Sequence, residues 1–364
     1  MPGREGEDIS GASRQQKSAD FSVSIVVPTW NGLHLLRENL PSFLEAGHHY
    51  RQSTGGEVEV IVADDGSTDR TAEALATEFP QVQVVRSIAN RGFASACNLG
   101  FRHARHDLVA LLNNDVRIEP DYLVHVAGHF RDPSVFAVTA KVFEWDDPWF
   151  ATGGRYGRFR RGFWSVYFNY DVEGDSAEWV SGHRLLSVYA IGGFATYDRA
   201  KLEELGGFDE LLSPFHWEDV DLSYRGWKRG WNVHYEPRSR ARHRSSATIR
   251  SRWRQRAVDR ISLRNRLLFH WINLHSPSYL ASHVAMLVLL AFSRILVLDY
   301  HFYWALGAAL RRLPEALRRR RLEKSRARRT DRELSRLLKD FYGRAPVRIY
   351  RNQREVIAFH PEAP

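Results

Sequence analysis

Short apolar segments alternate with longer amphipathic segments over the first third of the chain. Four apolar segments have the β-branched character and the turn-forming ends of buried strands: Phe21–Pro28, Val58–Ala63, Val82–Arg86 and Leu108–Leu112. The segments between them predict helices over Leu33–Ala46, Arg70–Phe79 and Gly92–Arg105. Because near-continuous apolar strands that alternate with helices form parallel sheets covered on both faces, the predicted fold class is α/β with a Rossmann-like, mostly parallel sheet.

A polar cluster follows the fourth predicted strand directly. There, Leu108–Leu112 leads into Asn113-Asn114-Asp115. Ligands of open α/β sheets bind at the carboxyl ends of the strands, and a carboxylate backed by amides suits a hard divalent cation that also holds phosphates. An Asn/Asp turn after a strand explains the same residues without a ligand. This segment alone therefore leaves both interpretations open.

The pattern is less regular in the middle of the chain and regains order later. Residues 141–180 are aromatic and glycine-rich, with little periodicity. Helices are predicted over Asp198–Leu205 and from Trp217 to Arg229, and a strand over Trp231–Tyr235. Beyond Arg250 the chain is predicted to be helical, first basic and then apolar.

Two acidic clusters add candidate chemistry. The run Asp64–Ser67 follows the second strand, where a carboxylate can accept the imide N–H of a pyrimidine base or a ribose hydroxyl; a capped turn is the alternative. The cluster Glu218-Asp219-Val220-Asp221 begins a helix, where acidic residues interact well with the helix dipole. The apolar neighbours Trp217 and Val220 also predict that part of this cluster faces a pocket with apolar walls. Desolvation there would raise the pKa of a carboxylate towards that of a general base.

One histidine is a further candidate. His243 follows a strand and lies among arginines, as residues of a solvated basic face do. Imidazole is also a common metal ligand, so a histidine from a different strand could complete a cation site that Asp115 begins.

The order of these motifs resembles that of a known family. The series is Val26–Gly32, Asp64–Asp69, Asn90–Phe93, Leu112–Asp115, Gly192–Phe194, Gly206–Glu210 and Trp217–Leu222. It is similar to family 2 glycosyltransferases, and among them to bacterial rhamnosyltransferase-type enzymes, over residues 21–245. An ordered series is more specific than any single motif. The resemblance implies a GT-A fold, a nucleotide-sugar donor, a Mg²⁺ or Mn²⁺ ion and inversion at the anomeric carbon.

The resemblance also implies roles for individual residues. Asp115 matches the metal-binding aspartate of the family's D-x-D signature, and His243 matches the late histidine that closes the metal site. Asn113 stands where many members have aspartate, so it is expected to contact ribose or a metal-bound water. The implied catalytic group is Asp219 as the base, with Glu218 and Asp221 as orienting neighbours. The implied nucleotide-sugar contacts, in which Asp64 meets the base, are Pro28, Thr29, Asn31, Asp64, Arg91, Gly92, Asn113, Asn114 and Gly193.

Charge changes the interpretation of the C-terminal part. The 364-residue chain has a net charge of +9, and arginine accumulates after residue 238. The segment Tyr279–Leu298 is long enough to span a bilayer, but arginines on both sides oppose a single crossing. Helices lying on the cytoplasmic leaflet are therefore predicted, anchored by Trp253, Trp271 and Trp304. A helical subdomain packed on the core, or a homodimer, is the alternative. No nucleic-acid partner is predicted, because arginine density is its sole support.

These inferences give a predicted organisation of the whole chain. It comprises a disordered tail (1–20), a GT-A catalytic domain (21–245), a basic and apolar membrane-associating helical region (246–330) and a charged tail (331–364). The single cysteine, Cys97, excludes an internal disulfide and fits a reducing compartment. Residues 1–20 lack the apolar core of a signal peptide. The expected location is cytoplasmic, at the inner face of the cytoplasmic membrane.

The predicted function is metal-dependent, inverting transfer of a sugar from a UDP- or dTDP-sugar to a lipid-linked or growing cell-surface glycan. Two alternatives remain open. One is a transferase that loads sugar directly onto polyprenyl phosphate. The other is a non-catalytic, membrane-bound scaffold that binds glycans or nucleotide sugars.

Overall fold

The structure is a computed structural model that describes residues 21–146, 150–172, 184–244, 253–351 and 354–355. The predicted N-terminal tail, residues 1–20, lies outside the described residues.

The first part of the chain folds into the predicted parallel unit. Its strands are β1 (Val23–Thr29), β2 (Val58–Asp64), β3 (Gln83–Arg86) and β4 (Leu108–Leu112). Its helices are α1 (Leu33–Thr54), α2 (Thr71–Glu78) and α3 (Phe93–His103). All neighbouring strands in the order β4-β1-β2-β3 are parallel. Side chains of β1 alternate between two apolar layers, with Val26 on one face of the sheet and Ile25 and Val27 on the other.

Helix α1 extends beyond its predicted end at Ala46. It continues for two more turns to Thr54 and stops where Gly55 adopts a left-handed conformation. The added turns bury Tyr50, whose hydroxyl donates to the Phe21 carbonyl oxygen at 2.7 Å. Tertiary burial thus extends the helix past the end of its clear sequence pattern.

The second part of the chain extends the sheet with strands of mixed direction. The elements are β5 (Val116–Ile118), α4 (Tyr122–Ala127), β6 (Val135–Glu144), β7 (Phe150–Thr152), β8 (Gly154–Arg160), β9 (Phe163–Val172), β10 (Leu185–Leu186), β11 (Phe194–Asp198), α5 (Arg199–Leu205), α6 (Glu218–Lys228) and β12 (Asn232–His243). The central order is β10-β12-β6-β11-β4-β1-β2-β3. Strand β11 lies antiparallel between β4 and β6, whereas β12 runs parallel to β6. The predicted mostly parallel α/β fold is therefore confirmed.

Part of the region with little sequence periodicity, residues 154–172, forms strands of a separate small sheet. Strands β8 and β9 form an antiparallel hairpin, and β13 (Val347–Arg351) and β14 (Arg354–Glu355) extend it in the order β14-β13-β9-β8.

The C-terminal part is largely helical. Its helices are α7 (Gln255–Asn273), α8 (Pro277–Leu296), α9 (Tyr300–Leu310), α10 (Leu313–Arg326) and α11 (Asp331–Arg344). Leu267, Leu268 and Phe269 of α7 are fully buried in the main core. The basic stretch that contains α7 is therefore amphipathic, with an inner face packed on the rest of the fold.

Residues 331–351 do not form the charged tail that the sequence predicts. Helix α11 buries Leu334, Leu338 and Tyr342, and the Tyr342 hydroxyl bonds to the hairpin at Gly157 and Arg155. Strand β13 pairs with β9. The correction has a simple cause, because the apolar residues of α11 recur at helical spacing among the charged ones and form one buried stripe.

Candidate active site

A cavity of about 940 Å³ opens at the carboxyl end of β1 and β4. Residues far apart in the sequence line it, which is the arrangement that open α/β sheets use for ligand binding. Nine of the predicted site residues line this cavity: Pro28, Thr29, Gly92, Asn113, Asn114, Asp115, Glu218, Asp219 and His243.

Strand pairing brings Asp115 and His243 together. The short strand β5 begins one residue after Asp115 and pairs antiparallel with the end of β12, so that Val116 lies opposite His243. The His243 Nε2 atom is 3.4 Å from Asp115 Oδ1. The backbone N–H of Arg244 also donates to the Asp115 carbonyl oxygen at 3.1 Å. Sheet register therefore fixes the two side chains that were predicted to share a cation.

The amide side chains next to Asp115 contribute to the same wall. Asn114 Nδ2 donates to Thr29 Oγ1 at 2.9 Å, which links the ends of β4 and β1. Asn113 Oδ1 is buried and, like Asp115 Oδ1, has no hydrogen-bond partner among the described residues. Buried acceptors of this kind normally have partners, so these two oxygens mark a place for a ligand or cation.

These side chains suit a divalent cation that also binds a phosphate-containing ligand. The Asp115 carboxylate and the His243 imidazole are the two possible metal ligands, and the Asn113 amide oxygen without a hydrogen-bond partner comes from the same strand end. No group of three or more His, Cys, Asp or Glu residues that could hold a metal is found among the described residues. A cation at Asp115 and His243 would therefore take its other ligands from water and from a bound phosphate, as Mg²⁺ commonly does.

The acidic pair Glu218 and Asp219 begins α6 inside the cavity. Asp219 Oδ2 accepts the Gly192 N–H at 3.1 Å, and Asp219 Oδ1 accepts the Val220 N–H at 2.8 Å. Glu218 Oε2 is buried with no hydrogen-bond partner among the described residues. Burial, together with the neighbouring Asp219 charge, raises the pKa of Glu218 to about 8. Burial also raises the pKa of Asp219, although its two backbone hydrogen bonds oppose the shift.

A glycine pair joins the acidic pair to the strand end. Gly192 donates to Asp219, while the Gly193 carbonyl oxygen accepts the Asn113 N–H at 3.2 Å. Gly193 has φ +97°, and an added Cβ would lie only 2.4 Å from Asn113 Cγ. Both the backbone conformation and the close approach therefore require glycine. This dipeptide connects Asp219 to the Asn113–Asp115 wall.

Five predicted site residues do not line the cavity. These are Asn31, Asp64, Arg91, Gly193 and Asp221. Asn31 Oδ1 accepts the Thr68 N–H at 2.7 Å, and Arg91 forms an exposed ion pair with Glu210 at 3.3 Å. Gly193 acts through its backbone contact with Asn113, as described above.

The structure places Asp65, rather than Asp64, at the cavity. Asp64 is fully buried, accepts the Ser67 N–H at 2.8 Å and lies 3.3 Å from Arg86 Nε. Asp65 accepts the backbone N–H groups of Arg91 and Gly92 at 2.8–3.0 Å. It thereby holds the loop that leads into α3 against the cavity wall. Successive residues at a strand end point to opposite sides of the sheet. The side that each residue faces therefore decides which of the two carboxylates lines the cavity, and here it is that of Asp65.

Asp221 forms a structural ion pair away from the cavity. It is fully buried, lies 2.7 Å from Arg225 Nε and accepts a hydrogen bond from Asn273 Nδ2 at 2.6 Å. The same guanidinium donates to the carbonyl oxygens of Leu205 and Gly207. The predicted orienting role of Asp221 is therefore limited to fixing α6 in the fold.

Several lining residues were missed by the sequence reasoning. Arg155 of β8 donates to Thr152 Oγ1 at 3.2 Å and to the Val166 carbonyl oxygen at 2.8 Å, and its positive charge lowers the pKa of Asp219. Trp253 was predicted only as a membrane anchor. The lining residues that had no individual role in the predicted site, some of them inside the quoted motifs, are Trp30, Asp65, Asn90, Phe93, Ala96, Glu144, Ala151, Thr152, Arg155, Ile191, Gly192, Phe194, Pro214, Phe215, His216 and Trp253. Several of them lie in the stretch without periodicity, which gave no signal.

Relatives with curated names share parts of this chain. An undecaprenyl-phosphate 4-deoxy-4-formamido-L-arabinose transferase of Edwardsiella ictaluri is 37% identical over 103 residues, 27% of this chain and 30% of the relative. A dolichol-phosphate mannosyltransferase of Pyrococcus furiosus is 30% identical over 33% of each chain. A pre-mycofactocin glycosyltransferase of Mycobacterium tuberculosis is 26% identical over 63% of this chain and 44% of the relative. The chain thus spans less than half the length of these relatives.

Solved structures and a family model agree on the fold. GalNAc-T7 with UDP, GalNAc and Mn²⁺ is similar with a TM-score of 0.55 at 16% identity, over 82% of this chain and 58% of that one. S. aureus TarS 1-349 with UDP-GlcNAc has a TM-score of 0.50 at 17% identity, over 88% and 91%. The fold is therefore GT-A. The family model described as "Glycosyl transferase family 2" matches residues 24–206, half of the chain. This chain belongs to glycosyltransferase family 2.

Proposed function

We propose that the protein is an inverting, metal-dependent glycosyltransferase that moves a sugar from a UDP- or dTDP-sugar to a lipid-linked or growing cell-surface glycan. One observation carries this proposal. A single cavity holds a buried acidic pair at a helix start and an Asp–His pair at a strand end, joined by Gly192–Gly193. The names of the curated relatives, which are sugar transferases, support the reaction class.

The chemistry needs a base on the acceptor side. Asp219 is the proposed base, because its pKa is raised and it is fixed by two backbone N–H groups. As the acceptor oxygen forms a bond to the anomeric carbon, its proton passes to an Asp219 oxygen. The bond from that carbon to the donor phosphate breaks in the same displacement, and the electron pair leaves with the diphosphate. A single displacement inverts the anomeric carbon, and it needs no carboxylate nucleophile.

The part of the cavity lined by Asp115 and His243 is the proposed donor site. Asp115 and His243 would hold a Mg²⁺ or Mn²⁺ ion, which supplies charge neutralisation for the leaving diphosphate when bound. Pro28, Thr29 and Asp65 line the adjoining wall, where a nucleoside would bind. Solved neighbours contain UDP or UDP-GlcNAc, and one contains Mn²⁺. A test of the activity is donor hydrolysis, measured across a panel of nucleotide sugars with Mn²⁺ and with EDTA; no metal-dependent turnover with any donor would contradict it and favour a scaffold.

Direct transfer to polyprenyl phosphate is a second candidate. Two of the relatives are named for lipid-phosphate acceptors. The cavity also contains the Arg155 guanidinium, whose Nε has no hydrogen-bond partner among the described residues. A half-buried guanidinium with one unpaired N–H suits an anionic acceptor group. Assaying transfer to free lipid phosphate against transfer to a glycosylated lipid separates the two candidates.

The pH dependence of activity should depend on Glu218. Activity should rise as Asp219 loses its proton, and it should fall above about pH 8, where Glu218 ionises in the cavity that binds the anionic donor. In the Glu218→Gln variant residue 218 cannot ionise. We therefore expect the plot of rate against pH to keep its acidic limb and to lose its alkaline limb. Rates measured between pH 5 and 10 test this, with the exposed Glu203→Gln of α5 as the control. An unchanged alkaline limb in Glu218→Gln would contradict the assignment.

We also propose that α8 and α9 rest on the cytoplasmic leaflet. Helix α8 is the one described helix long and apolar enough to cross a membrane. Its inner side is attached to the hairpin, because Tyr279 stacks on Phe159 at 4.0 Å and the His283 Nδ1–H donates to the Gly162 carbonyl oxygen at 2.9 Å. The attached inner side favours a helix that lies on the membrane. The outer stripe of Leu289, Phe292 and Leu296 is 61%, 68% and 85% exposed.

Substituting that stripe should release the protein from membranes. Each apolar side chain contributes about 1.5–3 kcal/mol when it leaves water, so Leu289→Gln, Phe292→Gln and Leu296→Gln together should weaken partitioning by about 10³-fold or more. Flotation with anionic liposomes measures this. Ile88→Gln, which removes a fully exposed apolar residue from a distant loop, serves as the control. Equal recovery of the triple variant and the native chain with liposomes would refute the membrane role of α8.

A further inference from the structure

The turn that leads into α6 has an unfavourable backbone conformation. Both His216 and Trp217 have left-handed backbone angles, with φ of 69° and 77°, and neither is glycine. This conformation is disfavoured for residues with a Cβ atom, because the Cβ atom comes too close to the following carbonyl oxygen. These two residues immediately precede Glu218 and Asp219, so the direction of the acidic pair depends on contacts that hold the turn.

A single buried side chain of α7 provides most of the polar contacts to this turn. Asn265 is fully buried, and its Nδ2 donates to the carbonyl oxygens of Phe215 and His216 at 2.9 Å each, and also to that of Leu212. Its Oδ1 accepts two hydrogen bonds from Arg264 at 2.7 and 2.9 Å. Because Arg264 has only donors, this pairing keeps the Nδ2 donors of Asn265 directed at the turn.

Apolar contacts from the same helix support the turn on either side. Phe215 packs in a small cluster with Val258 and Ile261 of α7. The Trp217 ring lies 5.2 Å from that of Phe269, also on α7. Phe215 and His216 themselves line the cavity. The helix that the sequence placed in a membrane-associating region therefore shapes one wall of the site.

We propose that Asn265 is a positioning residue that holds the left-handed turn and thereby sets the direction of Glu218 and Asp219 in the cavity. In this role Asn265 touches neither the nucleotide sugar nor the sugar acceptor. It acts through the carbonyl groups of Leu212, Phe215 and His216. Without Asn265, the turn can relax, and the hydrogen bond from the Gly192 N–H to Asp219 is then lost. The inference deepens and rests on the proposed function, because it assigns the base to the end of this turn.

Asn265→Ala removes the contacts, and Asn265→Asp removes the donors while preserving the volume and the Arg264 contact. A misplacement of about 1 Å costs on the order of 10²-fold in rate, so kcat should fall by about 10–100-fold in both variants. The KM for the donor and the affinity for Mn²⁺ should stay near native values, since Asp115 and His243 are untouched. The acidic limb of the rate profile should also move to higher pH, because the Gly192 hydrogen bond lowers the pKa of Asp219.

The matched control is Asn98→Ala. Asn98 is another buried asparagine, and it bonds both the N–H and the carbonyl oxygen of Phe208 at 2.9 Å without lining the cavity. It should lose comparable thermal stability and keep the native kcat and pH profile. Hydrogen exchange of residues 215–219 should accelerate in the Asn265 variants and not in Asn98→Ala.

The outcomes separate this inference from the proposed function. If the native chain transfers or hydrolyses a donor and the Asn265 variants keep its kcat and its acidic limb, the positioning role is wrong and the proposed function stands. If no donor is turned over by the native chain, the proposed function fails and the role of Asn265 in catalysis fails with it. Faster exchange at the turn would then still identify Asn265 as a structural clamp alone.

Discussion

Asp219→Asn is expected to reduce sugar transfer by about 10³-fold, the middle of the range for loss of a positioned general base. The amide keeps the shape of the carboxylate, but its single oxygen can accept from only one of Gly192 and Val220. The buried contacts of Asp221 with Arg225 and Asn273 should still hold α6 in place. It cannot take the proton of the acceptor hydroxyl. Steady-state transfer assays on a donor that the native chain hydrolyses measure the loss.

Binding measurements make that result specific. Donor and Mn²⁺ affinities of Asp219→Asn, measured by calorimetry, should stay within a few-fold of those of the native chain, because the proposed donor site uses Asp115 and His243. Glu203→Gln, an exposed carboxylate on α5, controls for loss of one negative charge. Near-native turnover by Asp219→Asn would remove Asp219 from the reaction, and loss of donor binding would point to a structural role.

The parallel half of the fold could be predicted because its signal is local. Strands β1, β2 and β4 are near-continuous apolar runs, β3 is a short strand with Val84 and Val85 at its centre, and the turns after the strands contain the residues that turns require. The antiparallel insertion of β11 between β4 and β6 has no such signal, because strand neighbours depend on contacts distant in sequence. The hairpin β8–β9 gave no clear sequence pattern for a related reason: its buried and exposed positions do not alternate simply along either strand.

The structure brings predicted site residues together where motif and register agree, and elsewhere it places a neighbouring residue at the cavity instead. Asp115 and His243 lie together because the pairing of β5 with β12 places them there. The choice between Asp64 and Asp65 depends on which side of a strand end faces the cavity, and the sequence does not specify it. The case of Asp221 is different. Residues two apart on a helix point in nearly opposite directions, so helical geometry alone could have separated Asp221 from Asp219.

The aromatic wall of the cavity shows a further limit of sequence reasoning. Trp253 packs edge to face on Phe215 with ring centroids 5.5 Å apart. The two residues come from segments that were assigned to different predicted domains. The boundary at residue 245 therefore does not separate the site from the helical region, since Trp253, which lies just before α7, lines the cavity.

Asp115→Asn and His243→Ala are expected to reduce transfer by about 10²–10³-fold each, the cost typical of removing one group that stabilises developing charge. Asp115 Oδ1 has no hydrogen-bond partner among the described residues and lies 3.4 Å from His243 Nε2, so both atoms are available to one cation. The neutral amide is a weaker ligand than the carboxylate, and alanine provides none. Titration of Mn²⁺ in the presence of a nucleoside diphosphate, followed by the paramagnetic resonance of free Mn²⁺, measures the affinity directly.

A double variant that combines Asp115→Asn with His243→Ala tests whether the two side chains bind the same ion. If Asp115 and His243 bind the same ion, the first substitution removes most of the Mn²⁺ affinity and the second adds little, since residues that act as a unit are not additive. His103→Ala, which removes an exposed histidine from α3, should leave Mn²⁺ binding unchanged. Native Mn²⁺ affinity in both single variants would show that the cation is held elsewhere. Additive losses would assign the two side chains to separate interactions. Only a non-additive loss, accompanied by retained thermal stability, fits a cation held between the end of β4 and the end of β12.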